Sequence, residues 1–209
     1  MMEKKTHFGR AGEFYAMSEL LLRGWNVAVP VVDIGDDVFV VDDNDKTTRR
    51  LQVKSSRIVD KSAAGEAPGT LVQATFNLSR EQLRTQQVIE LFYMFLIRLT
   101  GPERWRFLVI PRDDLSGIRE AHVTGTGQPR GPGRRPLRDD QASGDTLTLN
   151  IDLSANEASG WKTSLNAYLD QWPQEFGIVS GGPGSVGPKE GVPATSSARD
   201  PRPSPDPGR

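Results

Sequence analysis

Four residues near the start of the chain have side chains suited to holding or replacing a cation: Glu13, Asp37, Gln52 and Lys54. Glu13 stands in the middle of an apolar stripe, Gly9, Ala16, Met17, Leu20 and Leu21 recurring around it at three- and four-residue spacing. A lone carboxylate on a buried face is costly, so it needs a cation or hydrogen-bond donors. A salt bridge to a basic neighbour is the plain way to supply them. Asp37 opens an apolar run, Val38-Phe39-Val40-Val41, and is equally readable as a turn aspartate beside Asp33 and Asp36. Gln52 and Lys54 are two apart, so on a strand they share one face while Leu51 and Val53 share the other. An amphipathic strand with a solvated polar face would look the same. The chain has no cysteine and only two histidines, His7 and His122. Disulfides, thiolate zinc and a histidine-rich metal centre are thereby excluded. Any metal would be held by oxygen, which suits magnesium or manganese.

The elements that must carry these residues follow from periodicity. Residues 8–23 read as a helix, with Gly24 as its C-cap. Residues 25–32 read as a strand with a proline near its end, and 33–36 as a turn. Residues 37–41 and 49–57 form a predicted hairpin around the polar segment 42–48. A further strand is predicted at 71–78. Ser79 then caps a short helix, with Gln82 three residues on as in a capping box. Strands at 91–99 and 104–110, a short helix from about Asp113, a strand at 145–152 and a last helix over 155–172 complete the prediction.

Composition bounds the rest. Of 209 residues 36% are hydrophobic, and Gly and Pro are concentrated in the last third, so the ordered domain is expected to be shorter than the chain. The expected organisation is a core over 1–123, a Gly/Pro/Arg-rich mobile loop over 124–144, a final strand and helix of the same domain over 145–177, and a disordered tail over 178–209. The tail's glycines lack the Gly-Lys-Ser/Thr ending of a phosphate-binding loop. No signal peptide is visible, and the apolar run Leu91 to Leu99 is too short to cross a bilayer, so a soluble, cytoplasmic protein with no membrane partner is expected. A net charge of −1 argues against a large non-specific DNA footprint, though not against a local basic patch.

In order and spacing, the motifs Gly9-Arg10-Ala11-Gly12-Glu13, Leu22-Arg23-Gly24-Trp25, Asp33-Ile34-Gly35-Asp36-Asp37 and Leu51-Gln52-Val53-Lys54-Ser55 resemble the PD-(D/E)XK nuclease superfamily. The likeness is to its Holliday-junction-resolvase-like members. It covers residues 8–57 well and 58–110 loosely. It implies an α/β, restriction-endonuclease-like fold: one domain with a mixed β-sheet flanked by helices. It implies a metal-dependent endonuclease acting on DNA, branched DNA included, with Mg2+ or Mn2+ as cofactor and a homodimer as a candidate assembly. By the same resemblance Asp37 is the central metal ligand and Glu13 supports it from the helix. Gln52 or the Val53 carbonyl supplies a further ligand, and Lys54 orients the attacking water or stabilises developing charge. Two positions depart from the pattern: Gln52 stands where a carboxylate is usual, and Asp36 stands where proline is usual.

Other residues are candidates for nucleic-acid contact. Arg10 lies one turn before Glu13, Ser55 and Ser56 follow the lysine, and Arg130, Arg134, Arg135 and Arg138 make the 124–144 segment basic. A solvated helix start and a solvated loop explain the arginines as well. Gln73 is a candidate site-lining residue or a core-edge polar group; Trp105, Trp161 and Trp172 read as packing residues, and the histidines as surface. The rival functions are a catalytically inactive nuclease-fold module that binds nucleic acid or protein, and an adaptor working through its loop and tail.

Overall fold

The computed structural model describes residues 3–31, 36–43, 46–62, 64–65, 67, 69–86, 88–99, 104–124 and 145–179. Helix α1 spans Glu3–Leu22. It ends in a Schellman turn: Gly24 has φ 88°, its N–H donates to Leu21 O, and the Trp25 N–H donates to Leu20 O. The turn lets Trp25 fold back beside Leu20 in the core. Of the predicted strand 25–32, the described residues form β1, Asn26–Ala28, alone; Val32 and most of the predicted 33–36 turn lie outside the described residues.

Strands β2 (Val38–Val41) and β3 (Thr48–Asp60) form the predicted hairpin, with Val38 opposite Leu51. Strand β3 runs longer than predicted. Its first part pairs in parallel with β5 (Leu91–Arg98), and its last residues pair with β4 (Val72–Ser79). Ser79 caps α2 (Arg80–Arg84) by accepting the Gln82 N–H, as the capping pattern requires. Then follow β6 (Trp105–Pro111), α3 (Arg112–Thr124) and β7 (Thr146–Leu153).

The last predicted helix, over 155–172, is wrong. In its place stand β8 (Ala158–Gly160) and β9 (Thr163–Ser164), then a 3-10 turn over Asn166–Tyr168. Trp161, Leu165 and Leu169 are spaced like a helical stripe and are all buried. What decides the conformation is a two-residue hairpin turn with Trp161 at φ 46° and Lys162 at φ 61°. The Trp161 indole is held inside by its bond to Thr148 O at 3.0 Å. Gly160 fits closely there: a Cβ would lie 2.9 Å from Leu149 Cδ1 and would push that side chain aside.

Among the described residues nine strands form one connected sheet of mixed direction. The β3–β5 pair is parallel and every other pair is antiparallel. This agrees with the predicted mixed α/β class, but the flanking differs from the prediction. Helix α1 covers one face: Ala16 and Leu20 pack with Val38, Val40, Leu51, Val53, Phe92, Met94 and Leu96. On the other face, β4 and β7 themselves curl over β5 and β6, with α2 and α3 filling in through Leu83 and Leu115. Strand β5 is therefore buried on both sides, which explains its unbroken apolar sequence. No helix among the described residues is long and apolar enough to cross a membrane.

Candidate functional site

Among the described residues, strand β3 has a stretch of edge left unpaired where β2 begins. The β2 ladder reaches only to Val38 opposite Leu51. One residue earlier, Asp37 turns its carboxylate onto the backbone: Oδ2 accepts the Val53 N–H at 2.7 Å. In a strand, a residue's N–H and C=O project toward the same neighbour. The Val53 carbonyl therefore lies on the edge that Asp37 occupies. The alternation predicted for β3 holds, with Leu51 and Val53 in the core under α1 and Gln52 and Lys54 on the opposite face.

Asp36 and Asp37 separate cleanly. The Asp36 carboxylate is buried and paired with Arg50 at 3.1 Å. Gln82 Nε2 reaches its other oxygen at 3.5 Å, and the Tyr93 hydroxyl donates to Gln82 Oε1 at 3.4 Å. Burial pushes the Tyr93 phenol far up, so it stays protonated and available as that donor. Asp36 thus belongs to an internal polar network, and Asp37 is the aspartate that meets the β3 edge.

Gln52 is 5% exposed, and its Oε1 is buried with no hydrogen-bond partner. It stands beside Tyr93 in the β3–β5 register, next to that network. A buried amide oxygen without a donor is costly unless something electropositive completes it. Lys54 is half-buried, and its ammonium has no ion-pair or hydrogen-bond partner among the described residues.

Glu13 sits on α1 next to Gly12, which rests directly on Ser55 of β3. Phe8 and Tyr15 mark the flank of α1 turned toward β6, since both stack against Trp105. At about 100° per residue, Glu13 falls on the other flank, toward β2. Its side chain is 16% exposed and pairs with Arg10. The plain salt-bridge reading of Glu13 is therefore satisfied, and Arg10 is engaged by that carboxylate.

Glu13 thus approaches the β3 edge from the helix face, Gln52 and Lys54 lie on the other face, and Asp37 with the Val53 carbonyl lies in the edge itself. The donor set is two carboxylates, an amide oxygen and a main-chain carbonyl. Oxygen donors of these types, Gln52 Oε1 among them unsatisfied, are the kind a hard divalent ion takes. Among the described residues no three of His, Cys, Asp and Glu stand together, so a carboxylate-rich cage is absent from them.

The remaining candidates divide. Ser55 Oγ is buried under Gly12 without a partner, a packing position rather than an exposed phosphate contact. Ser56 faces the other way and stitches β3 to β4, donating to Arg57 O and accepting from Thr75 N. Gln73 binds Asp152 on β7, away from the edge. His7 is exposed, whereas His122 is half-buried, with burial as the main cause that lowers its pKa and Arg119 and Lys162 adding to it. Arg130, Arg134, Arg135 and Arg138 lie outside the described residues, as do the rest of the 125–144 segment and the tail from 180.

Sequence reading missed two features. One is the Asp36–Arg50 pair, which needs a contact across the hairpin. The other is a row of Arg57, Arg98 and Trp105 on neighbouring strands. The only sequence signal for the row was that Arg57 continues the alternation Val53, Ser55, Arg57.

No family model matches the chain, and no curated protein matches it. Among solved structures it is similar to that of a bacterial homing endonuclease, I-Ssp6803I, at 19% identity over 62% of this chain and 79% of that one, with a TM-score of 0.35. A superposition of that quality carries no inference of activity. The molecule is defined by its own features: a mixed α/β protein in which the Asp37 carboxylate accepts the Val53 N–H, with Gln52 and Lys54 projecting from one face of the same strand.

Proposed function

We propose that the chain is a divalent-metal-dependent nuclease that hydrolyses phosphodiester bonds in DNA at the β3 edge. The observation that carries this reading is the Asp37 carboxylate seated on the Val53 N–H, beside the buried, unpartnered Gln52 oxygen and the unpaired Lys54 ammonium. It is supported by the resemblance of residues 8–57 to the PD-(D/E)XK pattern. Asp37, Gln52 and the Val53 carbonyl would hold Mg2+ or Mn2+, with Glu13 completing or supporting that shell from the helix. The bound ion would neutralise the phosphate and acidify a water. Lys54 would position that water and offset the charge developing on phosphorus-bound oxygen.

The test is cleavage of linear, single-stranded and four-way-junction DNA with magnesium or manganese, compared with EDTA. Asp37→Asn and Lys54→Ala are expected to lose at least about 100-fold in rate, the scale of removing one charge-stabilising group. Cutting that survives in both variants would remove the site assignment.

A second reading is favoured by one feature. Gln52 is neutral, and among the described residues no three of His, Cys, Asp and Glu stand together. A module that binds nucleic acid without turning it over needs only that much. It predicts binding in EDTA and no products under any metal.

A further inference from the structure

We propose that Arg57 and Arg98 form a phosphodiester-binding site on the α1 face of the sheet, one that takes the nucleic-acid backbone on its way past the β3 edge. The identity of the ligand rests on the nucleic-acid reading above; the site itself rests on separate observations.

Arg57 and Arg98 are register partners on the parallel strands β3 and β5, and Trp105 is the register partner of Arg98 on β6. Adjacent strands are about 4.8 Å apart. The alternation that buries Val53 and Leu96 under α1 puts Arg57 and Arg98 on that same face. Like charges side by side on one face repel and destabilise a sheet. Both guanidiniums lie over aromatic rings. The Arg57 guanidinium carbon lies 5.0 Å from the Phe8 ring centre and that of Arg98 5.5 Å from Trp105, while the two rings are 5.3 Å apart.

A ring face holds a guanidinium in place without using its N–H donors. Arg57 is exposed and forms no ion pair with a carboxylate among the described residues. A planar fork of donors, fixed by stacking beside a second positive charge, matches the paired oxygens of a phosphodiester.

The position suits the candidate nuclease edge. Arg57 is four residues beyond Val53, so about 13 Å along β3. Along the sheet face the direct line is closed, because Gly12 sits on Ser55. Beside α1 it is open at Gly9 among the described residues: a Cβ built there meets nothing within 4 Å. The backbone would pass that flank and meet the arginines beyond it.

The experiment is fluorescence anisotropy with labelled single-stranded and duplex oligonucleotides, in EDTA, across a salt series. It compares the full chain with Arg57→Ala, Arg57→Lys and Arg98→Ala, with thermal melts to show that each variant is folded. Arg57→Ala is expected to weaken binding about 10-fold and to reduce the slope of log K against log salt by about one. Arg57→Lys should keep the slope and lose part of the affinity, since the charge remains but the fork does not. Which oligonucleotide binds more tightly identifies the form of backbone recognised.

Unchanged affinity and slope in Arg57→Ala, or no binding by the wild-type chain at low salt, would overturn the site. Metal-dependent cutting with no response to Arg57 would end this inference and leave the nuclease standing. Arg57-dependent binding without cutting would do the reverse.

Discussion

Asp36 and Asp37 are neighbours with the same side chain, and the fold gives them opposite surroundings. Asp36 is buried against Arg50, whose Nε already lacks a partner and whose Nη2 is committed to Ile89 O. Removing the Asp36 carboxylate would leave that guanidinium charged and enclosed. Asp36→Ala is therefore expected to cost about 3–5 kcal/mol, the range for breaking a buried pair from one side. Asp37→Asn keeps an oxygen to accept the Val53 N–H, so it should cost no more than about 1.5 kcal/mol. Urea unfolding in EDTA measures both. Equal losses would mean that the Asp37 charge is a structural strut, and its proposed place at a metal would go. The same contrast explains why sequence could nominate the pair but not choose between them by physics. Both aspartates stand at the start of one apolar run, and only the partner across the hairpin distinguishes them.

Helix α1 reaches β3 through its smallest residue. A Cβ on Gly12 would lie 1.9 Å from Ser55 Oγ, 3.1 Å from Ser55 Cβ and 3.2 Å from Leu96 Cδ1. Gly12→Ala should destabilise by about 1–3 kcal/mol through overpacking, even though alanine favours the helix. Ser55→Ala alone should be nearly neutral, because that hydroxyl is buried without a partner. Together they should recover part of the loss, with a coupling of at least about 0.5 kcal/mol in a double-mutant cycle. Strict additivity would show that helix and strand do not meet at this point, and Glu13 would lose its reason for facing β2. Elements fixed by local chemistry were legible in the sequence: the helix ending at Gly24, the 37–57 hairpin, and the short helix capped by Ser79. The helix over 155–172 was misread because the spacing of Trp161, Leu165 and Leu169 is helical, while the turn at Trp161–Lys162 is stabilised by indole burial that only β7 supplies. The row Arg57, Arg98 and Trp105 was unreadable for a similar reason, since strand register across β3, β5 and β6 is a non-local property.

At the scale of the whole molecule, β5 belongs to two cores. Tyr93, Phe95 and Ile97 pack against β4 and β7, and Phe92, Met94 and Leu96 pack under α1. The two cores therefore share one backbone, and loss of either strips one face of β5. The indoles allow a test. Trp161 lies in the β4–β7 core, whereas Trp25, Trp105 and Trp172 lie in or against the α1 core. In Trp161→Phe the remaining fluorescence reports on the α1 side alone, while circular dichroism reports on the whole chain. If β5 couples the cores, both probes should give one urea midpoint, in the variant as in the wild type. Separated midpoints would mean that the α1 side opens on its own. The consequence reaches the site directly. Glu13 stands on the α1 side of β3, Asp37 lies in the strand edge, and Gln52 and Lys54 project toward the other face, so a single cooperative unit is what would keep those groups in fixed relation at the strand edge.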